Sequence, residues 1–385
     1  MPAGNSITIV DSARPEQSWI RAWDDLVDAT PGCDVSQLSA WGRVRAAAGY
    51  APHYVLAAHR GEVIGGAQVL VRNVRPLGTI GYVPYGPVIA TGVPDRERVR
   101  EALAGALDDL ARHHVRMLFV QPPEGVDDLS GELIERGFRA SDARVAPPGS
   151  LRIDLTRSEE DLRSEFGNVR LRRDIRRRSW EDKGVRLDRG DERDAPVVAE
   201  LLARTGAHHG FQPFSEEYVA ALLRGLGEHA ALWIARHRGT PVVAHLYTLC
   251  GATMKSRLTG FDRAVPSPKG MPGILHWEAM MWARGRGCRW FDLGGLPESA
   301  LRTLLDDAGD RSSLNSYDRY KCDFGGSPYR CSPAIESIRP VALRGAYDLA
   351  RRTGTGTRLI RTAQGLLRRG RSGTTAPQSS PHGVR

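Results

Sequence analysis

Long hydrophobic runs are missing from the sequence. Its 385 residues contain no stretch of about 18 apolar residues, the length that a membrane-spanning helix requires. Charged residues such as Asp11, Arg14 and Glu16 also interrupt the region where a secretory signal would lie. We therefore expect a protein that stays in the cytoplasm.

Cysteine is scarce, and its placement predicts neither disulfides nor a metal site. The five cysteines are scattered, with no Cys-x-x-Cys pair and no Cys/His cluster at zinc spacing. This pattern is typical of reduced thiols in a reducing compartment. His208 and His209 are adjacent and have no acidic partner at ligand spacing, so no metal is expected there either.

Acidic residues are outnumbered, because 54 Lys and Arg face 45 Asp and Glu, which gives a formal charge of +9. A basic excess favours polyanionic partners such as RNA, phosphorylated carriers or an anionic membrane surface. No Asp or Glu follows Asp348. Residues 346–385 are therefore predicted to form a basic, partly disordered tail, for which peripheral contact with an anionic membrane is one expected role.

Strand and helix patterns occur in the same order in two halves of the chain. Each half is predicted to contain helices, a strand hairpin (54–71 and 231–249), a further strand, a long helix and an apolar strand. The Pro- and Gly-containing segment 142–150 is a predicted linker. Residues 158–178 are predicted to form one basic helix. This order predicts an α/β architecture with mixed sheets.

Several short segments, in order, resemble the Fem (peptidoglycan bridge) aminoacyltransferases. The resemblance covers roughly residues 6–345 and rests on order and spacing, because each motif alone is weak. The segments are 37–45 (QLSAWGRVR), 82–88 (YVPYGPV), 151–155 (LRIDL) leading to 183–185 (KGV), 291–295 (FDLGG) and 320–326 (YKCDFGG).

The resemblance implies a fold of two tandem GNAT-like (acyl-CoA N-acyltransferase-like) domains. We expect the first at residues 6–150, with 325–345 returning to it, and the second at 151–324. It also implies aminoacyl-tRNA as donor, an amine of lipid II or of a UDP-muramyl-peptide as acceptor, and no metal or bound cofactor. Tyr85 stands where the family often has a basic residue, and no Arg occupies the region around Gln212. Transfer of the aminoacyl group to a small metabolite or a peptide antibiotic intermediate is therefore a second hypothesis.

Three residues are the predicted catalytic set. Lys321 lies between Tyr320 and a Phe-Gly-Gly turn, where an ammonium can neutralise charge at the ester carbonyl or at the terminal tRNA phosphate. Tyr320 is predicted to stack on the terminal adenine. Asp292 ends an apolar strand, where it either accepts the proton of the amine or caps the following turn.

The predicted substrate-binding residues are Arg43, Arg45, Tyr85, Arg204 and Gly294. Because Arg43 and Arg45 are two positions apart, they point to different faces of a helix.

A second predicted contact is with RNA. The arginines at 170, 173 and 177 recur at helical spacing, which places them on one stripe that suits phosphates. The alternative is a solvated face. We accordingly name Arg170, Arg173 and Arg177 as tRNA-binding residues.

Two further functions fit parts of the sequence. An acyl-CoA N-acetyltransferase would bind pyrophosphate at loop 267–273, but Pro272 removes a backbone donor there. A non-catalytic RNA-binding protein would need the basic helix but not Tyr320 and Lys321.

Overall fold

The computed structural model describes residues 7–143, 145–306, 311–356 and 358. Most of the predicted tail lies outside them. The described residues form two mixed β-sheets with helices packed on them, which confirms the predicted α/β class.

Fifteen strands occur in the described part of the chain. The first seven are β1 (Ile7–Ser12), β2 (Ala51–His59), β3 (Glu62–Val74), β4 (Gly78–Pro84), β5 (Val88–Ile89), β6 (Met117–Gln121) and β7 (Arg139–Ala140). The others are β8 (Gly149–Asp154), β9 (Val185–Gly190), β10 (Ala230–His237), β11 (Thr240–Cys250), β12 (Thr253–Phe261), β13 (Trp290–Asp292), β14 (Ser327–Arg330) and β15 (Ile335–Ile338).

Helices connect these strands. Those before β8 are α1 (Gln17–Ala29), α2 (Ser39–Ala46), α3 (Arg96–His113) and α4 (Asp127–Glu135). Those after β8 are α5 (Glu159–Ser164), α6 (Val169–Arg177), α7 (Ser179–Asp182), α8 (Ala195–His209), α9 (Glu216–Leu226), α10 (Met271–Gly285), α11 (Glu298–Leu305), α12 (Ser316–Cys322) and α13 (Val341–Arg352).

The two sheets have the same strand plan. The first runs β1-β2-β3-β4-β6-β15-β7, with β5 beside β3, and the second runs β9-β10-β11-β12-β13-β8-β14. In each, a meander of antiparallel strands is followed by one parallel pair, β4 with β6 and β12 with β13. The helix between the members of each pair, α3 or α10, makes the crossover that a parallel pair requires.

The sixth strand in each sheet, in the orders given above, directly follows a strand of the other sheet in the sequence. β8 comes directly after β7, yet it pairs with β13 and β14. β15 comes directly after β14, yet it pairs with β6 and β7. The chain therefore passes from the first sheet to the second before β8 and returns to the first sheet before β15.

Helix α3 shows how the sequence specifies these elements. The Asp95 side chain accepts a hydrogen bond from the Arg98 N–H and so caps its first turn. Val99, Leu103 and Leu107 recur at helical spacing and are buried against the first sheet. Each such side chain contributes about 1.5–3 kcal/mol by its burial.

A shared hydrophobic core joins the halves. Trp23 and Trp41 from α1 and α2 belong to one cluster with Leu222 of α9 and Leu246 of β11. The helices of the first half thus pack directly on the second sheet and its helices.

The predicted single helix at 158–178 is wrong, because two short helices, α5 and α6, occupy this segment and α7 follows directly after it. The Asn168 side chain accepts from the Leu171 N–H and begins α6, and Arg178 takes the left-handed conformation (φ 47°) that ends it. The helical pattern of the sequence continues through Asn168. An asparagine side chain, however, favours the N-cap position, where a new helix begins.

Candidate functional site

A cavity of about 740 Å³ opens in the second half where the parallel pair β12 and β13 comes apart. The two strands pair only from Thr253 to Lys255 and from Trp290 to Asp292. Beyond this point residues 256–259 and the turn at Gly294 both line the cavity. We call this space the Lys321 cavity.

Lys321 lies in the wall of this cavity with only 4% of its surface exposed. Its Nζ donates hydrogen bonds to the carbonyl oxygens of Gly294 (2.9 Å) and Gly295 (2.7 Å). Gly294 adopts φ +83°, a conformation that favours glycine and turns its carbonyl toward the lysine. Burial lowers the pKa of Lys321 to about 8, although Asp318 and Asp292 oppose that shift.

Tyr320 lines the same cavity, with its ring at the edge of Phe324 (5.0 Å between centroids). Its hydroxyl is buried and has no hydrogen-bond partner among the described residues. An unpaired buried hydroxyl is costly, so this group is available to a ligand. The structure therefore brings Lys321, Tyr320 and Gly294 together.

Asp292 lies on the other side of the Gly294 turn. Its carboxylate accepts hydrogen bonds from Ser150 Oγ (2.5 Å), the Tyr329 hydroxyl (2.6 Å) and the Gly294 N–H (2.8 Å). It lines a second cavity of about 350 Å³ between the two halves, which we call the inter-half cavity. These hydrogen bonds favour the hypothesis that Asp292 caps the following turn over the hypothesis that it accepts a proton beside Lys321.

The inter-half cavity also contains Tyr85, which adopts φ +53° at the end of β4. The Nζ of Lys255, from β12, lies 4.2 Å from the centroid of its ring. The same ammonium is 3.2 Å from Asp34 Oδ2 and 3.9 Å from Asp292 Oδ2. A cation from the second half thus reaches the turn where the sequence lacks the basic residue of the Fem pattern.

The other predicted substrate residues line neither cavity. Arg43 is exposed and donates to Ser39 Oγ (3.1 Å), while Arg45 is buried over the Tyr50 ring, so the two point apart as their spacing predicts. Arg204 is exposed and pairs with Glu200 and Asp262.

Helix α6 presents its arginines to solvent. Its buried side carries Leu171, Asp174 and Ile175. Arg173 and Arg177 lie on the opposite side and make no ion pair within the described residues, while Arg170 is 3.9 Å from Asp174. All three predicted tRNA-binding residues are therefore exposed.

Sequence reasoning missed four side chains of these cavities: Arg257, Lys255, His245 and His276. Arg257 is the extra residue of a bulge in β12, opposite Leu246 and Tyr247, and its guanidinium lies 4.3 Å from the Trp41 ring centroid. Bulges re-aim side chains beside sites, but they leave no clear sequence signal.

Among the described residues there is no cluster of three or more metal-binding side chains. No helix in that part of the chain is long and apolar enough to cross a membrane. All five cysteines are free thiols.

Part of the sequence is similar to known proteins. The model of the acetyltransferase (GNAT) domain matches residues 169–321. The lipid II:glycine glycyltransferase of Staphylococcus aureus (strain MRSA252) is 24% identical over 202 residues, which span 49% of this chain and 46% of that protein. The match thus spans about half the length of this relative.

Solved structures extend the likeness to both halves. The crystal structure of FemX matches with a TM-score of 0.71 and 17% identity, covering 86% of this chain and 98% of that one. L-PGS from Bacillus licheniformis matches with a TM-score of 0.53 and 13% identity, over 86% and 95% of the chains. The tandem GNAT-like fold is confirmed, and these matches support the resemblance of the chain to the Fem family.

Proposed function

We propose that this protein transfers an aminoacyl group from aminoacyl-tRNA to an amine of a peptidoglycan precursor. The observation that carries the proposal is the buried Lys321 ammonium in the wall of a cavity large enough for a substrate. Attack of an amine on an ester builds negative charge on the carbonyl oxygen, and a desolvated cation stabilises such charge strongly. The ester is already activated, so positioning supplies most of the remaining catalysis.

The donor is proposed from charge and resemblance. The exposed arginines of α6 suit RNA phosphates, and Arg257 and Arg263 add cations to the wall of the Lys321 cavity. The acceptor is proposed from the relative, whose name gives lipid II as substrate. We place the reaction in the cytoplasm, with contact of the basic C-terminal end with an anionic membrane as a further part of the proposal.

A second candidate is transfer from an acyl-CoA, which the GNAT-domain match favours. In this protein the first turn of α10 contains Pro272, which has no N–H to donate. Leu171 of α6 packs against Gly273 at the same turn, and Met271 there is fully buried. This packing leaves little room for a pyrophosphate, so we rank acyl-CoA second.

The test is a transfer assay with purified full-length protein. A pool of tRNA charged with labelled amino acids is offered together with lipid II, UDP-muramyl-pentapeptide, phosphatidylglycerol or a metabolite extract. We expect label in a cell-wall precursor, lost when RNase is added first. A labelled metabolite would instead support the second reading of the acceptor, and label moving only from acetyl-CoA would contradict the proposed donor.

A further inference from the structure

Three buried side chains in and behind the wall of the Lys321 cavity form a hydrogen-bonded chain. Tyr247 of β11 is bonded through its hydroxyl to Nδ1 of His245 (3.0 Å) and to Nδ1 of His276 (2.9 Å), which comes from α10. Tyr247 is fully buried, and the histidines are 1% and 5% exposed. Both histidines line the cavity, and their ring centroids are 4.2 Å apart.

The single hydroxyl proton of Tyr247 couples the two rings. That proton can be donated to only one Nδ1, so the other Nδ1 must carry a hydrogen and donate it to the Tyr247 oxygen. A neutral histidine with a proton on Nδ1 has a free lone pair on Nε2, and the other tautomer has a proton on Nε2. The chain therefore presents one acceptor nitrogen and one donor nitrogen.

Both histidines are held neutral. Burial lowers the pKa of His245 to about 3. Burial also lowers the pKa of His276, and the nearby His245 and Lys321 add to that shift. Burial raises the pKa of Tyr247, so the hydroxyl keeps its proton. A histidine that gained a proton here without losing one would leave a costly buried charge beside Lys321.

The outer ring nitrogens of the chain are not used by the described residues of the protein. Nε2 of His245 is buried without a hydrogen-bond partner among the described residues. His276 uses Nδ1 for Tyr247, which leaves its Nε2 available. Buried polar atoms are normally paired, so an unpaired nitrogen in a cavity wall indicates that a substrate group completes it.

We propose that His245, Tyr247 and His276 form a charge-neutral proton relay for the transfer reaction. This inference rests on the proposed function. As the acceptor nitrogen bonds to the ester carbon, its proton passes to the unprotonated Nε2. The proton on Nδ1 of that ring moves to Tyr247, and the Tyr247 proton moves to the second Nδ1. The second ring releases its Nε2 proton to the ribose oxygen as the carbon–oxygen bond breaks.

The relay ends each cycle with both tautomers inverted and no change in net charge. The nitrogen that attacks and the oxygen that leaves are bound to the same carbon, so two imidazoles in contact can serve both. One proton exchanged with water at each end, after the products leave, restores the starting state. Lys321 meanwhile stays available to stabilise the carbonyl oxygen.

The first test is spectroscopic and needs no substrate. Imidazole ¹⁵N NMR of the full chain, with His245→Gln and His276→Gln variants for assignment, reports the tautomer of each ring. We expect both rings to be neutral at pH 7 and to hold opposite tautomers, and we expect Tyr247→Phe to end that coupling. The same tautomer in both rings, or a charged imidazole, would overturn the relay.

The second test varies the leaving group. An alkoxide from ribose needs a proton, whereas an acidic phenol leaves without one, so aminoacyl-tRNA is compared with an aminoacyl ester of nitrophenol. We expect Tyr247→Phe to lower kcat roughly 10²-fold for the tRNA ester, with little change in KM, and far less for the phenol ester. Tyr347→Phe, which removes a hydroxyl on α13, is the matched control.

The outcomes separate the two proposals. Wild-type protein that transfers from neither ester overturns the proposed function, and the chemical role of the relay with it. Active wild-type protein with an unaffected Tyr247→Phe variant overturns the relay alone. An equal loss of kcat with both esters also overturns it, since that result indicates a packing role for the hydroxyl.

Discussion

Lys321 is an ammonium whose position is defined by two backbone carbonyls rather than by a carboxylate. No Asp or Glu among the described residues forms an ion pair with it, and the Tyr317 ring lies 4.7 Å from Nζ. Because its positive charge is not paired, it remains available to a developing oxyanion. The same lack of pairing allows burial to lower its pKa to about 8.

This pKa predicts the pH dependence of transfer. The charged form of Lys321 predominates below about pH 8 and is lost as the pH rises through that value. We compare wild-type protein with Lys321→Met, which has a similar volume and no charge, in single-turnover transfer corrected for ester hydrolysis. We expect a rate ratio on the order of 10²–10³ at pH 7 that falls above pH 8. Because the ionisation of the acceptor cancels in the ratio, a ratio that rises through pH 8 would show that Lys321 acts as a neutral base instead.

Strong local patterns specified most single elements. The hairpin predicted at 54–71 matches β2 and β3, and the apolar strand predicted to end at Asp292 matches β13 (Trp290–Asp292). Local patterns do not predict which sheet a strand joins, because residues distant in the sequence determine the partner of a short strand. Within residues 325–345, for example, β14 lies in the second sheet and β15 in the first.

The candidate site was only partly visible in the sequence for the same reason. Lys321 and Gly294 lie in segments that resemble Fem motifs, and the position of α12 brings the two residues together. His245 and Tyr247 are two apart on β11 and so share a face, a signal that was present in the pattern. Their link to His276 arises from the packing of α10, and single histidines in apolar elements give no sequence sign of such a contact.

Helix α6 is the element whose role depends most on charge. If its exposed arginines contact tRNA, Arg173→Gln/Arg177→Gln should weaken binding and reduce the salt dependence of log K by roughly 0.7–0.9 for each phosphate that is no longer neutralised. Filter binding across a salt series measures both. Arg193→Gln/Arg224→Gln removes the same charge from another exposed surface, where each arginine already pairs with a carboxylate. Equal effects of the two double variants would show that only net charge matters.

The two halves are joined by two chain crossings, by the return of β15 to the first sheet and by a buried ion pair. β15 pairs in the first sheet although it directly follows β14 of the second sheet in the chain. Gly251 of the second half packs so closely on Thr30 and Cys33 of the first that a Cβ there would overlap their backbone. Beside this contact Asp34 of the first half meets Lys255 of the second at 3.2 Å. We therefore treat the molecule as one cooperative unit.

Breaking this ion pair should destabilise the whole molecule. Asp34→Asn leaves the Lys255 ammonium without its closest carboxylate, and removing one partner of a buried pair costs about 3–5 kcal/mol. Asp34→Asn/Lys255→Met removes both charges and should recover part of that free energy of unfolding. Urea denaturation followed by tryptophan fluorescence measures each value. Two separate transitions in the wild-type protein would contradict the single-unit description.

The pH dependence of this effect has a definite sign. Burial alone would raise the pKa of Asp34, but Lys255 and Arg257 lower it from 3.8 to about 2. A carboxylate with a lowered pKa in the folded state contributes stability above its ordinary pKa and loses it as the pH falls toward the lower value. The difference in unfolding free energy between wild-type protein and Asp34→Asn should therefore be constant near pH 7 and shrink below about pH 4. A difference that stays constant into acid would mean that Asp34 stabilises the molecule through its hydrogen bond to the Ser36 N–H and not through its charge.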